Sequence, residues 1–241
     1  MINASSLQDT SILITGASAG IGAATARAAA EAGARVALVA RNRAGLEHAA
    51  ASLPAGSEHL VITADVTDEE DVRRMVGEVT AAWGGIDVLV NNAGVGIFKE
   101  IAELSVEEFD RMIAVNLRGV FLCTKYALER IGAGGAIVTV SSLAGKSGFR
   151  GGGGYCASKF GVMGLMESLF HECRARDIRT ITITPGSVDT GFFDAAGMTP
   201  PDRATILQPE DVAATIVHAL TLPSRALLRE IDIRPANPRR E

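Results

Sequence analysis

The chain has 241 residues, of which 47% are hydrophobic, so it is long enough to bury a substantial core. Its net charge of −5 and pI near 5.5 argue against a nucleic-acid or anionic-membrane partner, which would require clustered Lys and Arg. The three cysteines lack metal-ligand spacing and are expected to be reduced thiols. Because the sequence has neither a signal pattern nor an apolar run of spanning length, we expect a soluble, cytoplasmic protein.

Seven short apolar runs alternate with longer segments that have Ala, Leu and Met at helical spacing. The runs are SILIT (11–15), ARVALVA (34–40), HLVIT (59–63), DVLVN (87–91), AIVTVS (136–141), RTITIT (179–184) and LLREIDI (227–233). Continuous apolar runs indicate strands that are buried on both faces, as in a parallel sheet covered by helices. The pattern therefore predicts a doubly wound α/β fold of about seven parallel strands.

Two boundaries and one loop are also predicted. Gly33 and Gly132 follow helical patterns and are expected to end those helices. No repeat or composition shift divides the chain, so residues 1–241 are expected to form one domain. The stretch of about 190–208 has no clear strand, which predicts a flexible substrate loop.

The stretch TGASAGIG (15–22) joins the first predicted strand directly to an Ala-rich helix. Gly16, Gly20 and Gly22 allow a tight turn and a close approach to a ligand. The following helix N-terminus supplies unpaired amides and a partial positive charge. The loop therefore predicts a diphosphate site, and the alternative is a tight turn without a ligand.

Four motifs carry a resemblance to a known family. TGASAGIG, NNAG (91–94), YCASK (155–159) and PGSVDT (185–190), in this order and at these intervals, resemble the short-chain dehydrogenase/reductase (SDR) family. The resemblance covers nearly the whole chain. It implies a Rossmann-type domain with seven parallel strands, a nicotinamide dinucleotide cofactor and a homotetramer or homodimer.

The end of the second predicted strand bears on the choice between NAD and NADP. Ala40 stands where an acidic residue would bind the ribose hydroxyls of NAD, and Arg41 follows it with donors suited to a phosphate. Ser18 and Asn42 are expected to add neutral hydrogen bonds. Ala19 occupies the position of a second basic residue found in many NADP-preferring relatives. NADP is favoured over NAD, and the alternative for Arg41 is a solvated charge.

The resemblance implies further cofactor contacts at the carboxyl ends of the strands. Asp65 and Val66 match an adenine-contacting pair, and the Thr190 hydroxyl matches a contact to the nicotinamide carboxamide. Alternatively, Asp65 caps a loop and the NNAG turn stabilises the sheet. The implied contacts are Ile21, Asp65, Val66, Asn92, Ala93, Gly94, Pro185, Gly186, Val188 and Thr190.

Tyr155 and Lys159 are four residues apart, so on a helix their Cβ atoms lie about 5–6 Å from each other. At about 5 Å the ammonium would lower the pKa of the phenol by about two units from its ordinary value near 10. Tyr155 would then exchange a proton with a carbonyl or alcohol oxygen near neutral pH. Alternatively, the two residues form a helix surface pair.

The resemblance adds two residues and further roles to this pair. Ser142, thirteen residues before Tyr155, would stabilise charge on the substrate oxygen. Lys159 would also bond the nicotinamide ribose. Asn116 would anchor a water that leads from Lys159 to solvent, or it is a buried structural Asn. The four histidines have no ligand spacing, so no metal is indicated.

The substrate is expected to contact the segment between Ser142 and Tyr155 and the loop after Thr190. Phe149, Phe192 and Phe193 offer apolar walls, which favours an uncharged ketone, aldehyde or secondary alcohol. Gly152, within the run 151–154, would leave room for a bulky ketone, or the run is a simple loop. The alternatives are a reductase of 3-oxoacyl groups on an acyl-carrier protein and a dinucleotide-binding sensor without turnover.

Two helices are expected to pair across a twofold axis, by the same resemblance. They are the helix around Asn116 and the helix that begins at Tyr155. The second is apolar nearly all round, which favours a homo-oligomer over packing on the sheet alone. Its apolar side chains are Met163, Leu165, Met166, Leu169 and Phe170.

Overall fold

A computed structural model describes residues 6–199 and 202–236 and contains one seven-stranded sheet. The strands lie in the order β3-β2-β1-β4-β5-β6-β7, and every neighbouring pair is parallel. The predicted α/β fold class is confirmed. The strands are β1 (Ser11–Thr15), β2 (Arg35–Ala40), β3 (His59–Thr63), β4 (Val88–Asn91), β5 (Ala136–Val140), β6 (Arg179–Pro185) and β7 (Glu230–Ile233).

Helices cover both faces of the sheet. On one face α1, α2 and α8 pack on the sheet, and on the other face α3, α5 and α6 do so. Central strands such as β1 and β5 are therefore buried along their whole length. The helices are α1 (Gly20–Glu31), α2 (Arg43–Ala51), α3 (Glu69–Trp83), α4 (Val106–Ile113), α5 (Gly119–Leu128), α6 (Gly153–Arg174), α7 (Phe192–Ala195) and α8 (Pro209–Thr221).

The two predicted helix stops have different outcomes. Gly33 adopts a φ of +93° directly after the C-cap of α1, as predicted. The expectation for Gly132 is wrong, because α5 already ends at Leu128. The chain leaves the helix there, which brings the Ile131 side chain into the core beside α3 and α5.

The position of β1 beside β4 places a crevice at the carboxyl edge of the sheet. The chain continues from β1 to β2 on one side and from β4 to β5 on the other, so the connecting segments diverge between them. Open α/β sheets bind ligands at such a point.

Among the described residues, no helix is long and apolar enough to cross a membrane. The one-domain prediction stays a prediction, because residues 1–5, 200, 201 and 237–241 lie outside the described ranges.

Candidate active site

A cleft of about 1020 Å³ lies at this edge of the sheet. It is lined by the glycine loop before α1 and by the segments that follow β2, β3, β4, β5 and β6. Of the predicted cofactor contacts, all except Gly22 line the cleft. The predicted cofactor contacts other than Gly22 therefore lie together around one space.

Gly16 and Gly20 shape the glycine loop by adopting φ values of +67° and +56°, which L side chains rarely adopt. Ala19, the N-cap of α1, provides no side-chain hydrogen bond, and the first turn holds no acidic residue. The first amides of α1 are thus left for a ligand, and the residues present fit a diphosphate.

Gly22, a predicted cofactor contact, does not line the cleft. It is buried behind the loop, where a Cβ atom would collide with the Gly16 carbonyl oxygen and with the Asn92 side chain. The glycine allows close packing between α1 and the strand ends, and its contact with the cofactor stays a prediction.

Asn92 and Ala93 line the cleft and also join two strands. Both backbone N–H groups donate to the Thr15 hydroxyl oxygen, at 3.0 and 3.1 Å. The Asn92 side chain donates to the Thr15 carbonyl oxygen at 2.9 Å. These bonds tie the end of β4 to the end of β1, so the NNAG turn stabilises the sheet, as the alternative interpretation held.

Arg41 extends into solvent beside the cleft and is 62% exposed. Its nearest charge is Asp65, with Nη1 and Oδ2 3.8 Å apart. Asp65 also accepts from the Thr67 amide at 2.9 Å and so organises its own loop. Asn42 caps α2 by accepting from the Gly45 amide at 3.2 Å. An exposed ion pair of this length is weak, so the Arg41 guanidinium can bind an anion.

Tyr155, Lys159 and Ser142 meet at the floor of the cleft. Tyr155 and Lys159 lie on α6, are 9% and 5% exposed, and have the Lys159 ammonium 5.8 Å from the centre of the Tyr155 ring. The Lys159 Nζ donates to the Val140 carbonyl oxygen at 3.1 Å. Ser142 follows β5, and its hydroxyl interacts with the Tyr155 phenol.

The electrostatics of this group differ from the expectation. Burial raises the pKa of Tyr155 to about 12, although the Ser142 hydroxyl acts in the opposite direction. Burial also lowers the pKa of Lys159 to about 8. The expected fall of the Tyr155 pKa is therefore wrong for the protein without a cofactor, because removal of the phenol from water disfavours its charged form.

Asn116 lies in a π-helical turn, Ala114–Arg118, that connects α4 to α5. It is fully buried, and its side chain accepts from the Val95 amide and donates to the Val95 carbonyl oxygen, both at 2.8 Å. The side-chain amide also donates to the Ser158 hydroxyl at 3.0 Å. Asn116 therefore links the loop after β4, at Val95, to α6, at Ser158. Ser158 directly precedes Lys159 in the sequence.

Phe149, Phe192 and Phe193 line the cleft, whereas Gly152 does not. A Cβ atom at Gly152 would lie 2.5 Å from the Phe149 ring. At Gly154 it would lie 2.9 Å from the Leu104 side chain. These glycines let neighbouring side chains pack on the start of α6, and a substrate contact of Gly152 stays a prediction.

The predicted loop of about 190–208 contains the short helix α7, while residues 200 and 201 lie outside the described residues. The Asp189 amide donates to the Leu207 carbonyl oxygen at 2.7 Å, which brings the two ends of the loop together. The Arg203 guanidinium pairs with Asp189 and Asp194. The loop is therefore held to the segment after β6.

Sequence reasoning missed several cleft residues, among them Phe98, Arg111 and Val115. Arg111 and Val115 are four residues apart near the π turn, a spacing that places them on one helical face. Phe98 lies four residues after the NNAG turn (91–94), and this closeness to a predicted site motif could have indicated that it lines the cleft. In the described ranges, no group of three or more His, Cys, Asp or Glu side chains could hold a metal ion.

The comparison with protein families identifies the class of protein. The model of the short chain dehydrogenase family matches residues 10–200. The chain belongs to the short-chain dehydrogenase/reductase family, as its motifs predicted, and it is an oxidoreductase. Proteins of this family bind a nicotinamide cofactor, and the glycine loop with the uncapped α1 fits its diphosphate.

Individual relatives resemble the chain over nearly its full length. A sepiapterin reductase of Chlorobaculum tepidum is 37% identical, over 94% of this chain and 96% of that protein. An alcohol dehydrogenase of Thermococcus sibiricus, solved with 5-hydroxy-NADP, is 34% identical with a TM-score of 0.89 and coverage of 97% and 100%. A 3-ketoacyl-(acyl-carrier-protein) reductase of Brucella melitensis, solved with NADH, is 28% identical with a TM-score of 0.86 and the same coverage.

Proposed function

We propose that the protein is an NADP(H)-dependent oxidoreductase that interconverts an uncharged ketone or aldehyde and an alcohol, with Tyr155 as the general acid and base. The observation that carries this proposal is the convergence of the Tyr155 phenol, the Ser142 hydroxyl and the Lys159 ammonium at the floor of the cleft.

When bound, the nicotinamide would supply the hydride for reduction of the carbonyl carbon, or accept it in oxidation of the alcohol. For reduction, Tyr155 gives its proton to the substrate oxygen, and the raised pKa keeps that proton on the phenol in the free protein. Ser142 donates a hydrogen bond to the same oxygen as charge develops there. Lys159 holds the nicotinamide ribose, and Asn116 supports proton refilling from solvent.

Arg41 supports the preference for NADP. Its guanidinium lines the cleft next to Ala40, the last residue of β2. Because this position is an alanine, the end of β2 offers no carboxylate to bind the ribose hydroxyls of NAD. Relatives named as a sepiapterin reductase and as a complex with 5-hydroxy-NADP are consistent with this choice. A relative solved with NADH favours the alternative cofactor, NAD.

We further propose a homodimer or homotetramer in the cytoplasm. Phe121 on α5 and Phe160 on α6 are 47% and 48% exposed, and paired helices would cover such rings. Of the apolar side chains expected on this surface, Met166 and Leu169 instead pack on the sheet. The free cysteines support a reducing compartment.

Replacement of Tyr155 by Phe tests the proposal. The variant keeps the ring but lacks the proton donor, so NADPH oxidation across a panel of ketones and aldehydes should fall by at least about 100-fold. NADPH affinity, measured by its fluorescence, should stay within about threefold. The matched control is Tyr126→Phe, because that phenol bonds Glu69 and does not line the cleft. Substantial turnover by Tyr155→Phe would refute the role, and NADPH binding without turnover by the wild type would favour the sensor.

A further inference from the structure

The wall of the cleft beside Tyr155 consists of aromatic rings that meet at Phe98. The ring centre of Phe98 lies 5.3 Å from that of Tyr155, with the planes inclined by 62°. It lies 5.8 Å from the centre of Phe149 and 6.2 Å from that of Phe192. These separations and inclinations are the ones that aromatic pairs favour.

The rings come from three segments that are distant in the sequence. Phe98 follows β4, Phe149 follows β5 and Phe192 begins α7 after β6. Apolar side chains such as Leu104 and Met112 pack in the same cluster as Tyr155, while the Lys159 ammonium lies 5.8 Å from the centre of the Tyr155 ring. The rings of this wall therefore offer a flat, apolar contact surface next to the phenol.

Phe192 occupies this surface in the structure. Its ring centre is 5.7 Å from that of Tyr155 and 6.2 Å from that of Phe98, so it packs beside both rings as the third corner of a triangle. The ring rests on Gly96, where any Cβ atom would collide with it. Because α7 is only four residues long and sits within a loop, the Phe192 ring can leave without disturbing the sheet.

We propose that the cleft takes ketones that carry an aromatic ring on the carbonyl carbon, and that this ring replaces the Phe192 ring against Phe98. The carbonyl oxygen, one bond away from the ring-bearing carbon, then faces the Tyr155 and Ser142 hydroxyls. Phe98 selects the aromatic ring, and Phe192 is the side chain that must be displaced. This inference rests on the proposed reductase function and names its substrate class.

The test compares two ketones of the same size, acetophenone and cyclohexyl methyl ketone, with NADPH. Their intrinsic reactivities differ, so the ratio of their kcat/KM values is compared between proteins. Phe98→Leu removes the ring and retains much of the volume, and it should lower the ratio of acetophenone to cyclohexyl methyl ketone by about two- to tenfold. Phe170→Leu is the control, because that ring contacts Arg229 outside the cleft and should leave the ratio unchanged.

Phe192→Ala distinguishes a displaced ring from a fixed wall. If Phe192 must leave, its removal lowers the KM for acetophenone, whereas a fixed contact would make the same substitution raise it. An unchanged ratio in Phe98→Leu, or a raised KM in Phe192→Ala, overturns the inference. Melting temperatures and NADPH affinities of the variants show that each is folded.

Binding supplies a readout that does not depend on turnover. Saturation-transfer NMR with the NADP⁺-loaded protein should give tighter binding of acetophenone than of cyclohexyl methyl ketone, and Phe98→Leu should remove the difference. If the wild type reduces neither ketone but binds acetophenone preferentially, the reductase proposal fails for these substrates while the aromatic subsite is supported. Equal binding of the two ketones overturns the subsite, whatever the turnover.

Discussion

Lys159 is expected to destabilise the folded protein when no cofactor is bound. Burial lowers the pKa of this lysine from 10.5 to about 8, and its side chain is only 5% exposed. A shift of this size corresponds to about 3 kcal/mol of unfavourable free energy in the charged form. Replacement by Met removes the charge and keeps most of the apolar stem.

The sign of the pH dependence follows from proton binding. Between pH 8 and 10.5 the unfolded chain holds the Lys159 proton and the folded chain has released it, so the lysine's contribution to stability rises with pH. Below pH 8 Lys159 is charged in both the folded and the unfolded chain, so the full cost of burying its charge lowers the stability of the folded protein. The loss of the hydrogen bond to Val140 offsets about 1 kcal/mol of the gain, so Lys159→Met should be about 2 kcal/mol more stable at pH 7.

The assay is urea unfolding of the cofactor-free protein at fixed protein concentration, at pH 7 and pH 10. Burial raises the pKa of Cys123 to about 12, which acts in the opposite direction above pH 9, so the difference between wild type and variant is the informative quantity. That difference should shrink between the two pH values. Lys125→Met, at an exposed lysine, should show no such change. A variant less stable than the wild type by a constant amount at both pH values would refute the reasoning.

Two further substitutions test the cofactor end of the cleft and the loop beneath it. Arg41→Ala should weaken NADPH binding by about 10- to 100-fold, since a charge-assisted hydrogen bond is lost, and should change NADH binding by less than about threefold. Titration by fluorescence measures both affinities, and an equal loss for the two cofactors would contradict the assignment. Asn116→Ala leaves the Val95 amide and carbonyl without partners, so unfolding by urea should show a loss of about 3 kcal/mol. A loss below about 1 kcal/mol would mean that these bonds contribute little.

The fold was largely predictable because strands that are buried on both faces contain continuous runs of apolar residues, which can be recognised in the sequence. The runs predicted for β1 and β3 match their strands residue for residue. The prediction was poorest at β7, where the apolar run begins at Leu227 but the strand begins at Glu230. Leu227 and Leu228, which begin the predicted run, are 38% and 36% exposed, so these apolar residues do not mark a buried strand.

The candidate site was predictable only where its residues lie in motifs of fixed spacing. Tyr155 and Lys159 share a helix face, and Ser142 is found by its distance along the chain. Phe98 was missed because its surroundings come from three separate segments. The direction of the Tyr155 pKa was also missed, because the depth of burial depends on the packing of the whole cleft and not on the neighbouring ammonium alone.

The hydrogen bonds from Asn92 and Ala93 to Thr15 have a thermodynamic consequence for binding. They hold the tips of β1 and β4 together by side-chain and backbone groups of the protein itself, where the strand connections run in opposite directions. The floor of the cleft is therefore rigid before any ligand arrives, and little conformational entropy is lost there on binding.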